Sequence, residues 1–318
     1  MDLKTKKNIV EAANGYIENH GMTQSSTSTI TTIPEAHLSN MLNGIFTYSA
    51  GKDKVGDIPI KYFYMLADLV DYEYEKKIWK IITTPQMLQT FEVLQDARDN
   101  AATRVIIGET GCGKSLVLSL FKKKHPTDVF SVVVGSEDNL NDLLNKVCRT
   151  LRVPIRGSKS SKIREISRAL EFCKHGGGKP ILVFDECEYM KTAALCSIKE
   201  FYDYLHKVCS ITLIGTEQLK DSIERLKKRD AKGIPQLYRR IKFGFRTLRP
   251  INRNYTDFLT EINDKKLKVW LQHECTNYGE LHDVLVPCMK EAERMNVPLT
   301  LPLVKMVLGL QNFDTDAA

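Results

Sequence analysis

No stretch of the sequence approaches the roughly 18 uninterrupted apolar residues that a membrane-spanning helix requires. The first residues, MDLKTKKNIVEAANGY, lack the apolar core of a secretory signal. Both absences lead to the expectation of a cytoplasmic protein, in a bacterial or phage-infected cell, with no membrane partner. The eight cysteines, at 112, 148, 173, 187, 196, 209, 275 and 288, include no Cys-x-x-Cys pair. They read as reduced thiols among apolar neighbours rather than as a disulfide framework. A zinc pair at His273 and Cys275 has no second pair to complete it. Aromatic residues are missing from the most basic segment, Arg152–Arg164, which argues against base stacking there. What is left, 42% apolar and 27% charged over 318 residues, suits a globular chain of two or three domains.

Charge is unevenly spread. Residues 1–103 carry 10 Lys and Arg against 13 Asp and Glu, whereas the remainder carries 36 against 26. A basic C-terminal two-thirds is compatible with an anionic partner such as nucleic acid, or with a mixed solvated surface.

The most informative stretch is Arg104–Ser115, RVIIGETGCGKS. A β-branched run breaks into Gly108-Glu109-Thr110-Gly111-Cys112-Gly113-Lys114-Ser115, and a periodic segment from Leu116 follows at once. This is Gly-x-x-x-x-Gly-Lys-Ser between a strand and a helix, the phosphate-loop pattern in its required setting. Glycines let the backbone aim successive N–H groups at a polyphosphate, and the helix start adds its positive end. Lys114 is placed to reach the β- and γ-phosphates, and Ser115 to hold Mg²⁺. Downstream, Ile181–Phe184 followed by Asp185 and Glu186 reads as a buried strand delivering two carboxylates to the edge of a parallel sheet. With the phosphate loop 71 residues earlier, Asp185 becomes the Mg²⁺ partner and Glu186 the base that activates water. ATP and Mg²⁺ are the expected cofactors, and ATP hydrolysis the expected reaction.

Three further regions carry expectations. Near the N-terminus, a helix over residues 4–20 precedes the Ser/Thr-rich run 25–32, then a second helical face formed by Leu38, Met41, Leu42 and Ile45. Glu35, His37, Ser39, Asn40 and Asn43 fall on its other side, as on a DNA-reading helix. The arrangement resembles a helix-turn-helix of the phage-repressor type, with a small helical adaptor domain as the alternative. Residues 47–58 read as a loop or hairpin, 75–84 as a linker, and 314–318 as a frayed tail. The segment Arg152–Arg164 reads as a loop with Arg152, Arg156, Lys159, Lys162 and Arg164 as phosphate-contact candidates, or as a solvated loop. Strands are expected at 129–134, 211–214 and 243–248, a charged surface loop at 224–233, and helices through most of 257–310. Thr216, after the second of these strands, either senses a γ-phosphate or caps the next helix.

GETGCGKS, ILVFDE, the strand ending in GTE, LYRRI and a helical C-terminal region together resemble an AAA+ ATPase. The whole-chain order is similar to the ATP-dependent transposition target selectors of the bacteriophage Mu type, whose basic segment LRVPIRGSKSSKIREISRAL resembles. The resemblance implies an α/β fold: a five-stranded parallel sheet in the order 5-1-4-3-2, flanked by an N-terminal helix-turn-helix domain and a C-terminal helical lid. The implied domains are 1–80, 81–250 and 251–318. It also implies a Thr216 sensor and an arginine finger at Arg240, less favourably Arg239, entering the neighbouring subunit's site. The nucleotide would be held by Gly108–Leu116 and the lid. Where such lids often carry Gly-x-x-Arg, this chain has Gly279-Glu280-Leu281-His282, and His282 lacks a permanent bidentate charge. The implied function is an ATP-dependent, largely sequence-independent DNA-binding ATPase. It would form homo-oligomeric filaments or rings on double-stranded DNA and deliver a target to a transposase. A helicase loader or replication initiator, and a signalling or secretion ATPase that binds no DNA, remain the alternatives.

Overall fold

The computed structural model describes residues 1–49, 55–72 and 78–310, so the tail expected at 314–318 and part of the loop at 47–58 lie outside the described residues. Chain contacts divide it into two units, Met1–Lys77 with Lys122–Val129, and Ile78–Phe121 with Phe130–Ala318.

The first unit contains α1 (Leu3–Asn19), α2 (Gln24–Thr31), α3 (Glu35–Leu42), β1 (Thr47–Ser49), β2 (Val55–Asp57) and α4 (Ile60–Val70). Its core joins Ile9 and Ala13 of α1, Leu38 and Met41 of α3, and Phe63 and Leu66 of α4. The Ser/Thr-rich run forms a helix despite weak propensity. Thr23 and Ser26 make a reciprocal capping box, and the Thr27 and Thr31 hydroxyls donate to carbonyls four residues back. A left-handed Thr32 then turns the chain into α3. β1 and β2 pair antiparallel, Tyr48 opposite Gly56.

The second unit begins with α5 (Pro85–Asn100), opened by a Thr84 cap and Pro85 in the first turn. It continues through β3 (Arg104–Ile107), α6 (Lys114–Lys124, the first unit from Lys122), β4 (Val129–Val133, the second unit from Phe130), α7 (Leu140–Leu151), α8 (Lys159–His175), β5 (Ile181–Asp185), α9 (Thr192–Leu205) and β6 (Ser210–Gly215). α10 (Glu217–Lys228), α11 (Ile234–Ile241), β7 (Phe245–Thr247), α12 (Lys265–Glu274), α13 (Tyr278–Met295) and α14 (Leu301–Val307) complete it. Five strands form one sheet in the order β4-β5-β6-β3-β7. These labels differ from the expected 5-1-4-3-2 because the hairpin takes the first two strand numbers; counted within the sheet, the order from the β7 edge is 5-1-4-3-2. β5 pairs parallel with β6, and β3 parallel with β6 and β7. Every residue of β5 and β6 is buried, as continuous apolar strands covered on both faces must be. Leu144, Ile166, Phe201 and Leu237 of the helices join Phe184 of β5 and Leu213 of β6 in one core. The order places β3, β6 and β5 side by side, so their C-terminal ends share one edge.

Several boundaries differ from the sequence reading. Residues 224–228 extend α10, whose charged side chains simply face water over buried Leu219 and Ile223. Residues 256–261 form turns rather than a helix. α8 starts at Lys159, because the Ser158 hydroxyl accepts from the Ser161 amide and nucleates the helix inside the supposed loop.

Candidate nucleotide-binding site

β3 ends at Ile107, and the loop Gly108–Gly113 curls back to start α6 at Lys114. The Gly108 amide donates to the Gly215 carbonyl at 3.1 Å, which seats the loop against the end of β6. Gly111 (φ +70) and Gly113 (φ +94) lie in left-handed space, where a side chain is strained. A Cβ on Gly111 would come 2.1 Å from Asn277 Oδ1, so only glycine lets α13 approach the loop. Lys114 Nζ bridges the carbonyls of Gly108 (2.9 Å) and Glu109 (2.7 Å). The Ser115 hydroxyl donates to Asp185 Oδ2 at 2.7 Å, and the Glu186 amide to Asp185 Oδ1 at 3.0 Å. Asp185 is buried, whereas Glu186 is exposed and left-handed (φ +57), an uncommon backbone for a non-glycine residue that turns its side chain out of the strand line. Thr216 stands at the start of α10, yet its hydroxyl makes no capping bond and is buried with no partner.

Beside the loop lies a cavity of about 410 Å³, within the range of small-molecule sites. Gly111–Val117, with Lys114 and Ser115 among them, form its floor; Trp79, Ile82, Met87, Phe258, Tyr278 and His282 supply walls. Trp79 stacks on Phe258 (centroids 5.6 Å apart, 22° between planes), and Phe258 on Tyr278 (5.0 Å, 30°). His282 meets Trp79 edge-on at 5.2 Å, with Nδ1 3.0 Å from Asp283 Oδ1. The wall is fixed from behind: buried Gln86 donates to the Arg249 and Pro250 carbonyls and accepts from the Tyr278 hydroxyl. A planar base and a polyphosphate need such a cavity: apolar aromatic walls ending on a glycine-rich helix start with a lysine. The unpartnered Thr216 hydroxyl and the Ser115–Asp185 pair fit the phosphate and cation end of the same group.

The loop candidates fall into distinct environments. Leu116 lines the cavity while Thr110 is exposed. Cys112 is buried, and burial pushes its thiol above the ordinary range although Lys114 beside it pulls the other way. Glu109 turns away: its carboxylate accepts from the Ile251 amide and from Arg253, both at 3.0 Å.

The structure does not bring the other candidates to this site. Arg240 is engaged within its own chain: Nη2 meets Asp203 Oδ1 at 2.5 Å, Nη1 donates to the Gln236 carbonyl, and the guanidinium lies 5.3 Å from the Tyr202 ring centroid. Arg239 is exposed. In the basic segment, Arg152, Arg156, Lys159 and Arg164 are exposed, but Lys162 is buried and donates to Asn141 Oδ1 (2.8 Å) and Asn145 Oδ1 (2.7 Å). Lys162 is therefore a brace between α7 and α8, not a surface cation. In α3, Asn43 is exposed and Ser39 half-buried, whereas Asn40 donates to the Thr47 carbonyl. His37 packs against Tyr48 and Tyr62. The hairpin and α4 thus claim two residues expected on a free reading face.

Sequence reading missed the aromatic wall. Residues 78–84 carry no helical period and pass for linker, although Trp79 beside Ile81 and Ile82 is a visible apolar cluster. Glu188, which no sequence motif marks, has its Oε2 buried without a partner, close against Gly215. Among the described residues, no group of three His, Cys, Asp or Glu forms a separate metal site, and no helix is long and apolar enough to cross a membrane.

Residues 97–223 match the family described as "AAA domain". The Aeropyrum pernix ORC2 protein, solved in ADPNP–ADP complexes, superposes with a TM-score of 0.51 at 14% identity, covering 74% of this chain and 72% of that one. The ORC1 protein of the same organism, solved in complex with DNA, gives 0.52 at 14% identity, covering 76% and 68%. At that identity the likeness is one of fold. No curated protein sequence matches the chain.

Proposed function

We propose that this chain binds and hydrolyses ATP with Mg²⁺, and that it couples the bound state to assembly on double-stranded DNA. The observation that carries the first part is the Ser115–Asp185 contact, which gathers a hydroxyl and a buried carboxylate beside the lysine of the phosphate loop. Loop amides and Lys114 bind the phosphates, Thr216 reports on the terminal one, and the Trp79–Phe258–Tyr278 wall orients the base. Ser115 and Asp185 would hold Mg²⁺, which would supply charge neutralisation to the phosphates. Glu186, exposed at the strand end, takes the proton of the attacking water. Of the two neighbouring arginines, Arg239 is the one free of Asp203, and it is offered to a second copy's site; Arg240 reaches one only by giving up that pair.

DNA binding is supported by the exposed cations Arg152, Arg156, Lys159 and Arg164 on one segment. Delivery of a target to a transposase is the reading drawn from motif order and the basic segment. A replication-initiator role is the second reading, favoured by the fold likeness to ORC1, which was solved with DNA. The decisive test is ATP affinity and DNA shift at low salt. Lys114→Ala should weaken ATP binding by about 100-fold, the cost of a charge-assisted contact, and abolish an ATP-dependent shift. Equal DNA binding with and without ATP would exclude coupled assembly, and no DNA binding at all would leave the signalling or secretion ATPase.

A further inference from the structure

The segment 251–254 and the residues just ahead of α13 meet the phosphate loop through a closed circuit of hydrogen bonds. Glu109 Oε1 accepts from the Ile251 amide at 3.0 Å, and Oε2 from Arg253 Nη2 at 3.0 Å. Arg253 Nε continues to the Thr276 carbonyl at 3.1 Å, immediately before Asn277, whose side chain caps α13. The Gly279 amide, in the first turn of α13, returns to the Gly111 carbonyl at 3.2 Å. The main-chain carbonyl of Glu109 is also one of the two acceptors that hold Lys114 Nζ. One residue of the loop therefore touches the phosphate-seeking lysine with its backbone and the lid with its carboxylate.

We propose that Glu109 and Arg253 form a strap through which the phosphate loop positions the lid; this rests on the nucleotide reading above. Arg253 is a positioning residue, since it lines no part of the cavity. The lid carries His282 where a permanent, forked cation would grip phosphate directly. The strap supplies a different route. When Lys114 turns from the Glu109 carbonyl toward phosphate, the loop segment that carries the Glu109 side chain changes its restraints. Arg253 passes that change to Thr276 and to the start of α13, where Tyr278 and His282 wall the cavity. The guanidinium suits this because its fork joins a carboxylate and a carbonyl at once, which an ammonium on a single point does poorly.

Hydrogen exchange of a peptide covering residues 276–282, with and without Mg²⁺–ATP, tests the strap alongside ATP affinity. Wild-type protein should show protection on adding ATP. Arg253→Ala should lose that protection and bind ATP about fivefold more weakly, as expected for a partly exposed charged pair. Arg253→Lys should restore part of the protection. Glu109→Gln keeps an acceptor for the Ile251 amide but removes the charge facing Arg253, and should lose protection from the other side even if Arg253→Ala loosens the lid fold. A merely structural tie would raise exchange equally in both states and leave the ATP-induced difference intact, which would overturn the proposal. ATP affinity and protection unchanged in both variants would overturn it alone, whereas a wild-type protein that binds no ATP would remove the nucleotide reading and the strap together.

Discussion

The Ser115 hydroxyl and the Asp185 carboxylate meet at 2.7 Å across 70 residues of sequence, tying the start of α6 to the end of β5. The first turn of α6 supplies the hydroxyl and the end of β5 the carboxylate, so a cation held between them would need both residues. Ser115→Ala should lower ATP affinity in the presence of Mg²⁺ much more than in EDTA, measured by titration calorimetry. Equal losses in both conditions would place Ser115 outside the cation's coordination.

Arg239 and Arg240 occupy adjacent positions but opposite circumstances. Arg240→Ala should reduce stability by about 1 kcal/mol through the lost Asp203 pair, seen as a lower Tm. Arg239→Ala should leave Tm unchanged and slow turnover only at protein concentrations where copies associate. Turnover that falls in Arg240→Ala with Tm intact would reverse the assignment.

Cys112 sits inside the phosphate loop, yet burial keeps its thiol protonated above the ordinary range. Peptide mass spectrometry after brief alkylation at pH 8 should find Cys112 modified at least about tenfold more slowly than the half-buried Cys173, because only the thiolate reacts and access is poor. Fast labelling of Cys112 would mean that the loop opens readily without ligand.

Lys162 and its basic neighbours should separate cleanly. Lys162→Ala strands the Asn141 and Asn145 side-chain oxygens and should cost roughly 1–3 kcal/mol of stability, with no change in the salt dependence of DNA binding. Arg156→Ala, Lys159→Ala and Arg164→Ala should each leave stability alone and reduce the slope of log affinity against log salt by about 0.9. A uniform slope across all four variants would remove this segment from the DNA contact.

Asp264 caps α12 and also accepts from the Leu301 amide at the start of α14. Bonds from the Leu301 and Leu267 amides, and then from Lys266, hold its carboxyl below the ordinary carboxylate range. A depressed folded pKa gives stability that is present above the unfolded value near 3.9 and is lost as pH falls through the lower folded value. Urea unfolding of Asp264→Asn should show a smaller stability gain than wild type between about pH 3 and 5; identical pH profiles would contradict the cap's electrostatic role.

Much of the site was legible as sequence because its chemistry is local. Gly108–Ser115 must bend where glycines permit and must start a helix where Lys114 and Ser115 stand, so a contiguous string specifies the cradle. Ile181–Asp185 is likewise a single buried strand with its carboxylate at the end. Local capping was readable in principle too: Thr23 and Ser26 make a helix of a run whose propensities alone argue against one.

What tertiary structure decided is which distant side chains were already committed. Lys162 counts as a surface cation until α7 brings Asn141 and Asn145 to it; Arg240 counts as a free finger until α9 brings Asp203. Asn40 and His37 leave the exposed face of α3 because the hairpin and α4 lie against them. Trp79, Phe258 and Tyr278 come from segments nearly 200 residues apart and become one wall only when the lid folds beside α5. The Gly-x-x-x-x-Gly-Lys-Ser string and the apolar run ending in two acids were legible because a few contiguous residues carry each pattern. The aromatic wall, the Glu109–Arg253 contact and the true occupations of the cations depend on long-range packing, and a string of residues does not contain those distances.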